Sequence, residues 1–367
     1  MILSILFSIV SFVAVLFVLV IAHEWGHFFV ARRFGVRVYE FGFGFPPKIA
    51  KIFHKNGTDY TANWIPLGGF VRLKGEDGSD AKDTDSFAHK KVWQRLAILL
   101  AGVVMNFALG YAIFFGLNLY GVDAQMFGNE TGAQISNQRV VIGSIMKGGP
   151  AERAGLQMGD VIESVGGDEE APGKIVGTHQ FREFVGAHAK KELAVSVVRE
   201  GMVQKISITP EEIQPGVVGI GVSIADIARV KYPFVAAAKK AGADTIDISL
   251  LIFKTLGTIV QKLVQDGELQ QGVSGPVGIA VVTGQVAKSG AAPLLQLMAM
   301  LSINLGVLNV LPIPSLDGGR ALFVILEKIV RRKVRADIEQ YSHVIGFALL
   351  MLLVIAVTFR DVMALVK

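Results

Sequence analysis

Five residues near the start of the chain, His23-Glu24-Trp25-Gly26-His27, can do chemistry as a group. On a helix, histidines at i and i+4 lie one turn apart on a common face and can share one Zn²⁺, with the glutamate between them set to act as general base. Two histidines leave such an ion short of a third protein ligand and an open position for water. Cysteine is absent, so the missing ligand must be His, Asp or Glu. The candidate is Asp317, in Asn309-Val310-Leu311-Pro312-Ile313-Pro314-Ser315-Leu316-Asp317-Gly318-Gly319-Arg320, because it is ionisable and ends a long uncharged run.

The elements that must position these residues are membrane spans. No charged side chain occurs from Met1 to Ala22, a length that crosses a bilayer as a helix. The run lacks a basic n-region, which argues against a cleaved signal peptide. Of the 367 residues, 51% are hydrophobic and 18% charged, with a mean hydropathy of +0.50. That balance excludes a typical soluble enzyme and fits a membrane protein with a sizeable polar insertion. Four spans are expected: about Met1–Val30, about Leu96–Val122, a third from Ala291 through Leu326 broken at Leu311-Pro312-Ile313-Pro314, and about Val344–Phe359. Irregular backbone at membrane depth is tolerated where it is buried in protein or faces a cavity, so the broken span points to a site.

The net charge of +5 reads as orientation, not nucleic-acid binding, because basic residues cluster beside apolar runs. Arg32, Arg33, Arg37, Lys48, Lys51 and Lys55 follow the first span; Lys328, Arg331, Arg332, Lys333 and Arg335 follow the third. Both clusters are expected on the cytoplasmic side, leaving both termini and the Asp123–Gly290 segment outside. Glu24 lies about 12 Å along a helix before Arg32, and Asp317 about 16 Å before Lys328, so the two halves of the site share a depth.

Between the first two spans, residues 39–74 read as a strand-and-turn ribbon at the membrane interface, with alternating aromatics and glycines in Gly42-Phe43-Gly44-Phe45. The acidic stretch Glu76–Asp85 reads as a solvated loop. In the outer segment, Gly149-Pro150-Ala151-Glu152-Arg153-Ala154-Gly155-Leu156 followed by Gly159-Asp160-Val161-Ile162 resembles a PDZ domain, over about Gly128–Ala225. Such domains bind peptides by strand addition, and Gly219-Ile220-Gly221-Val222 is the expected groove. The alternative is a closed domain that only spaces or blocks. Tyr232–Val264 is expected as an amphipathic helix on the outer face, with a linker to residue 290. His343, opening the fourth span, reads as interfacial, and His54, His89, His179 and His188 as solvated. Asn106 in the second span reads as a hydrogen-bonding residue between helices.

Taken together, HEWGH ending a first span, the Gly-Phe-Gly ribbon, the PDZ-like insertion and Asn-x-x-Pro-x-Pro-x-Leu-Asp-Gly-Gly resemble the site-2 protease family of intramembrane zinc proteases, bacterial RseP type. Further similar pieces are Ile65-Pro66-Leu67-Gly68-Gly69-Phe70-Val71, Ser274-Gly275-Pro276 and Ser302-Ile303-Asn304-Leu305-Gly306. The resemblance implies one Zn²⁺ per chain held by His23, His27 and Asp317, with Glu24 as base and proton shuttle. It implies Asn304 and Asn309 near the substrate backbone, and Gly42, Phe43, Gly44 and Phe45 as a re-entrant β-loop receiving substrate as an added strand. The fold it implies is a multi-pass α-helical membrane protein in a bacterial cytoplasmic membrane, with an interfacial β-ribbon and an inserted extracytoplasmic α+β PDZ domain. The implied partners are single-span membrane proteins, such as anti-sigma factors or remnant signal peptides, and peptide C-termini at the PDZ domain. Its parts are residues 1–122 and 291–367 for the membrane core, 128–225 for the PDZ domain and 230–290 for the outer helix and linker. Two departures stand out: room for one PDZ domain where tandem copies are usual, and Ala101-Gly102-Val103 in place of Ala-Gly-Pro. Competing readings are a membrane-anchored zinc protease with a soluble-phase site and a non-enzymatic PDZ scaffold.

Overall fold

The computed structural model describes residues 2–128, 130–167, 173–266, 274–332 and 335–366. Lys333 of the second basic cluster, and residues 129, 168–172 and 267–273 of the expected outer segments, lie outside them. In chain order the elements are α1 (Ile2–Arg33), β1 (Val38–Lys55), β2 (Thr58–Leu73), α2 (Val92–Tyr120), β3 (Val122–Gln125), β4 (Gln134–Ile145), α3 (Pro150–Arg153), β5 (Val161–Gly167), β6 (Gly173–Lys174) and α4 (Thr178–Ala187). There follow β7 (Leu193–Arg199), β8 (Met202–Ile208), β9 (Glu211–Gln214), β10 (Val217–Gly219), β11 (Val222–Lys231), α5 (Phe234–Asp266), α6 (Pro276–Lys288), α7 (Ala291–Val310), α8 (Asp317–Val330) and α9 (Ala336–Val366). Two compact units emerge: Met1–Phe115 with Ala241–Lys367, and Gly116–Lys240.

Among the described residues, four helices are long and apolar enough to cross a membrane: Ser4–Arg33, Val92–Tyr120, Ala291–Val310 and Asp337–Ala364. The expected third span is therefore two elements. Pro312 and Pro314 cannot continue a helix, so α7 stops at Val310 and α8 restarts at Asp317 as a shorter, separate helix. The expected linker before residue 290 is largely helix as well. In it α6 packs along α1, with the Lys288 ammonium donating to Ser4 Oγ at 2.5 Å and Gly284 against Ser8.

The ribbon is more than a hairpin. Both long strands bend, so residues 38–43 pair with 69–73 on one side and 59–62 on the other, while residues 48–55 pair with 58–63. The alternation of Phe and Gly has a packing cause. The Phe70 ring covers Gly42 and the Phe45 ring covers Gly68, where a Cβ would come within 2.5 and 2.6 Å of the rings. The expectation that Gly42–Phe45 receives an added strand meets a sheet already paired on both sides of Gly42 and Phe43. Gly42 and Phe43 lie in an inner strand, and on that side of the sheet the outer segment is 69–73. Phe43 packs edge-on against Phe17 of α1 at 4.6 Å, and Phe41 against Phe28 at 5.6 Å, which seats the sheet on the span.

The acidic loop is not wholly solvated either. Glu76 is half-buried and pairs with Arg320 of α8. Of the histidines expected to be solvated, His54, His89 and His179 are exposed, whereas His188 is half-buried with its ring against Phe184.

The second unit is a sheet in the order β3-β11-β4-β5-β7-β8, with β6 on β5 and a separate β9–β10 pair. Alternate residues of β4 and β7 (Val140, Ile142, Leu193, Val195, Val197), with Ile162 and Val165 either side of an irregularity in β5, line one core together with Phe181 and Val185 of α4. The Gly-Asp turn has a structural task. Buried Asp160 accepts Arg199 Nε at 2.8 Å, Arg199 NH2 at 2.7 Å and the Gln157 N–H at 2.8 Å, tying the turn to the end of β7.

Candidate metal centre

His23 and His27 fall on the face of α1 turned towards α2 and α8, and both are buried. Asp317 reaches the same point from the first turn of α8, where a carboxylate also meets the positive end of the helix. The sharp return needed to put it there depends on the two residues that follow. A Cβ on Gly318 would lie 2.3 Å from the Val310 and Leu311 carbonyl oxygens, and one on Gly319 2.2 Å from that of Ile313.

The three ligand atoms form a nearly equilateral triangle. His23 Nε2 and His27 Nε2 are 3.2 Å apart, and Asp317 Oδ2 lies 3.1 and 3.3 Å from them. A tetrahedral zinc with bonds of about 2.0–2.1 Å sets neighbouring ligand atoms about 3.3 Å apart. The surroundings select the right protonation. His27 Nδ1 lies 2.8 Å from the Ile98 carbonyl oxygen, which only accepts, so its proton sits on Nδ1 and Nε2 presents a lone pair. The Asn106 amide lies 3.0 Å from His23 Nδ1, and its Oδ1 is buried without a partner. Amide oxygen and nitrogen are assigned from their partners; turned so that Oδ1 faces His23, the amide accepts the Nδ1 proton and frees Nε2 in the same way. Among the described residues, Asp317 Oδ2 is likewise buried with no donor. Three lone pairs converging without a proton between them fit a cation.

Sequence reasoning missed part of this support. Asn106 is fully buried and does more than bridge helices, since it sets the tautomer of His23. Its own carbonyl accepts the Ser302 hydroxyl of α7 at 2.8 Å. Gly102, one turn before Asn106, lets α2 approach: a Cβ there would be 2.3 Å from His27 Nε2 and 2.7 Å from His23 Cε1. Gly26 in the motif itself meets the Ala101 carbonyl oxygen, where a Cβ would sit at 2.4 Å. The available signal was the i, i+4 pair Gly102 and Asn106 in an otherwise apolar span, the small-residue and polar pattern of close helix contacts.

Glu24 is half-buried beside the triangle, and Gly69 of β2 lies against it, with an added Cβ 3.1 Å from Glu24 Cγ. Asn304 and Asn309 are half-buried on α7, and no hydrogen bond joins either to the triangle among the described residues. His343 is tied to the backbone of Ser315 and not to the ligand atoms. Gly219, Ile220, Gly221 and Val222 lie in the second unit, at the end of β10 and the start of β11.

A model of peptidase family M50 matches residues 11–353. The chain belongs to peptidase family M50. Among named M50 relatives, "Regulator of sigma-W protease RasP" of Bacillus subtilis is 30% identical, covering 97% of this chain and 98% of that protein. "Zinc metalloprotease RasP" of Geobacillus kaustophilus is 31% identical, over 97% of both chains. The chain is thus a zinc metalloprotease, and zinc is the ion that the triangle fits. The alignment to the Bacillus protein runs over 435 positions, more than this chain's 367 residues, so that relative carries segments this chain lacks.

Proposed function

We propose that this M50 metalloprotease cuts transmembrane segments of single-span membrane proteins within the bilayer, with His23, His27 and Asp317 holding zinc and Glu24 as base. The observation that carries this reading is the origin of the three ligand atoms: two lie on an apolar span, and the third follows the break after another. A soluble-phase site would draw its third ligand from the polar unit.

When bound, zinc supplies a Lewis acid that makes water a better nucleophile and polarises the scissile carbonyl. Glu24 takes the proton of the attacking water and hands it to the departing amide nitrogen. Ile98 O and Asn106 hold the two imidazoles in the tautomer that leaves Nε2 free. A substrate helix hides its peptide bonds and must unwind locally. The 69–73 segment offers backbone for strand pairing, and Gly69 brings that segment against Glu24. We therefore assign strand addition to this outer segment, with Gly42 and Phe43 in the inner strand that supports it and Gly44 and Phe45 continuing beyond the doubly paired stretch. Asn304 and Asn309 are assigned to the unwound substrate backbone.

The Gly116–Lys240 unit contains the PDZ-like segment 128–225. Its β3 pairs β11 only over Ile227–Val230, leaving the Val222–Ala225 stretch of that edge next to Gly219–Gly221 for a peptide C-terminus. Excluding intact ectodomains is the other role for this unit. The Lys/Arg clusters support a cytoplasmic-membrane protein with both termini and the 123–290 region outside. The sigma-W regulator name of one relative supports anti-sigma factors as substrates, with remnant signal peptides as a second class.

The test uses full-length protein reconstituted in vesicles with a single-span substrate. Glu24→Gln is expected to keep one zinc per chain and lose cleavage, and fragment masses from the wild type should map the cut inside the apolar segment. Cleavage by the variant at the wild-type rate, or a cut confined to soluble flanks, would overturn the proposal.

A further inference from the structure

We infer that His343 of α9 is a positioning residue for the metal centre, acting through Ser315 to hold Asp317 in place; this rests on Asp317 being a zinc ligand. Ser315 has φ +84°, a conformation that a residue with a side chain keeps only where its surroundings hold it there. Its two hydrogen bonds to another helix both go to one residue. The Ser315 N–H donates to His343 Nδ1 at 2.8 Å, and the Ser315 hydroxyl donates to the His343 carbonyl oxygen at 2.9 Å. A backbone N–H can only donate, so Nδ1 is the acceptor and the imidazole proton lies on Nε2.

The same helix grips the preceding residue. Gly346, close to one turn beyond His343, lies under Pro314, and a Cβ there would be 2.5 Å from the Pro314 carbonyl oxygen. Phe323 of α8 packs on the His343 ring at 5.7 Å. The loop before Asp317 and the helix after it are thus both seated on His343. Among the described residues, no other side chain bonds Ser315, and the His343 imidazole is the acceptor of its backbone N–H, so losing the ring frees Ser315 to relax from positive φ. Relaxation of Ser315 two residues from Asp317 would turn the first residues of α8 and move the carboxylate out of a triangle whose edges are 3.1–3.3 Å.

The experiment measures zinc affinity of the purified full-length chain by competition with a chelator, alongside thermal unfolding of the same samples. Loss of a supporting hydrogen bond around a metal site typically weakens binding about 10- to 100-fold. His343→Ala and His343→Phe are both expected to weaken zinc binding about 10-fold, the latter while keeping the ring packing. In His343→Asn the side-chain oxygen takes the place of Nδ1 and accepts the Ser315 N–H, so binding should return to within about 2-fold of wild type, as expected if the acceptor atom is what matters. The inference is overturned if the Phe variant binds zinc as wild type does, or if Asn is no better than Phe. Asp317→Asn, measured in parallel, reports on the reading beneath it: unchanged zinc binding there would remove Asp317 as a ligand, whatever His343 does.

Discussion

Adding one methyl group at Gly102 should empty the metal centre without unfolding the chain. An alanine Cβ at this position would lie 2.3 Å from His27 Nε2 and 2.7 Å from His23 Cε1, against an ordinary contact of 3.4 Å or more. The shortfall at the first ligand is about 1 Å, while metal–ligand distances tolerate about 0.2 Å. Separating α1 and α2 instead meets the Gly26 to Ala101 contact on the same seam and the Ile98 and Asn106 bonds to the histidines. Overpacking of this kind costs about 1–3 kcal/mol, which a membrane bundle absorbs more readily than a coordination site absorbs 1 Å. Zinc affinity of Gly102→Ala should fall about 100-fold or more, the upper end of what loss of a supporting contact produces, and cleavage should fall with it. The matched control is Gly116→Ala on the same helix, where an added Cβ meets nothing within 4 Å. That substitution should leave zinc and activity unchanged and gain up to about 1 kcal/mol from helix propensity. Zinc titration and substrate cleavage are read on both. A Gly102→Ala protein that binds one zinc with wild-type affinity would refute the packing argument.

Replacing Asn106 by Ala should weaken zinc binding about 10- to 100-fold, whereas Asn106→Asp, which can only accept from His23 Nδ1, should retain it; a zinc titration in which both lose the ion would contradict the tautomer assignment. Glu76→Ala leaves Arg320 half-buried without its carboxylate, and loss of one partner of a buried pair costs about 3–5 kcal/mol at full burial. Chemical unfolding of the full chain should show a clear loss, at the lower end or below because Arg320 is only partly covered, and an unchanged midpoint would count against the contact. In the polar unit, Arg199 beside Asp160, with help from the Gln157 N–H, holds the Asp160 carboxyl below the usual carboxylate range. A carboxylate whose folded pKa is depressed contributes stability above its unfolded pKa of about 3.9 and loses it as pH falls through the folded value. The hydrogen-exchange protection of β5 and β7 in the full chain, taken relative to the intrinsic exchange rate at each pH, should therefore fall below about pH 4, and Arg199→Ala should remove most of that acid dependence.

Much of the membrane core was legible because its signals are local. An uncharged run of bilayer length, two histidines at helical spacing and prolines that end a helix each act within a few residues. Asp317 stood out because an ionisable group at the end of an apolar run is costly in lipid and rarely sits there without a task. The ribbon was half legible. Its Phe and Gly alternation announced strands, but pairing on both sides of residues 38–43 depends on where two long strands bend, and alternation carries no such information. Glu76 looked like one more acid in a solvated loop, because its partner Arg320 lies 244 positions away.

Residue types and spacing alone pointed to the ion and to the apolar spans, and singled out Glu24 and Asp317 as candidates for base and third ligand. Helical period and hydrophobic length are enough for that, since both are properties of short stretches. How these residues are held is settled by contacts between distant parts of the chain. His27 depends on a carbonyl 71 residues away, His23 on an amide 83 residues away, and Ser315 on a histidine 28 residues away. Such partners are chosen by the rotation and register of one helix against another. An apolar span can adopt many of those at nearly equal hydrophobic gain, and close packing at a few small residues selects one.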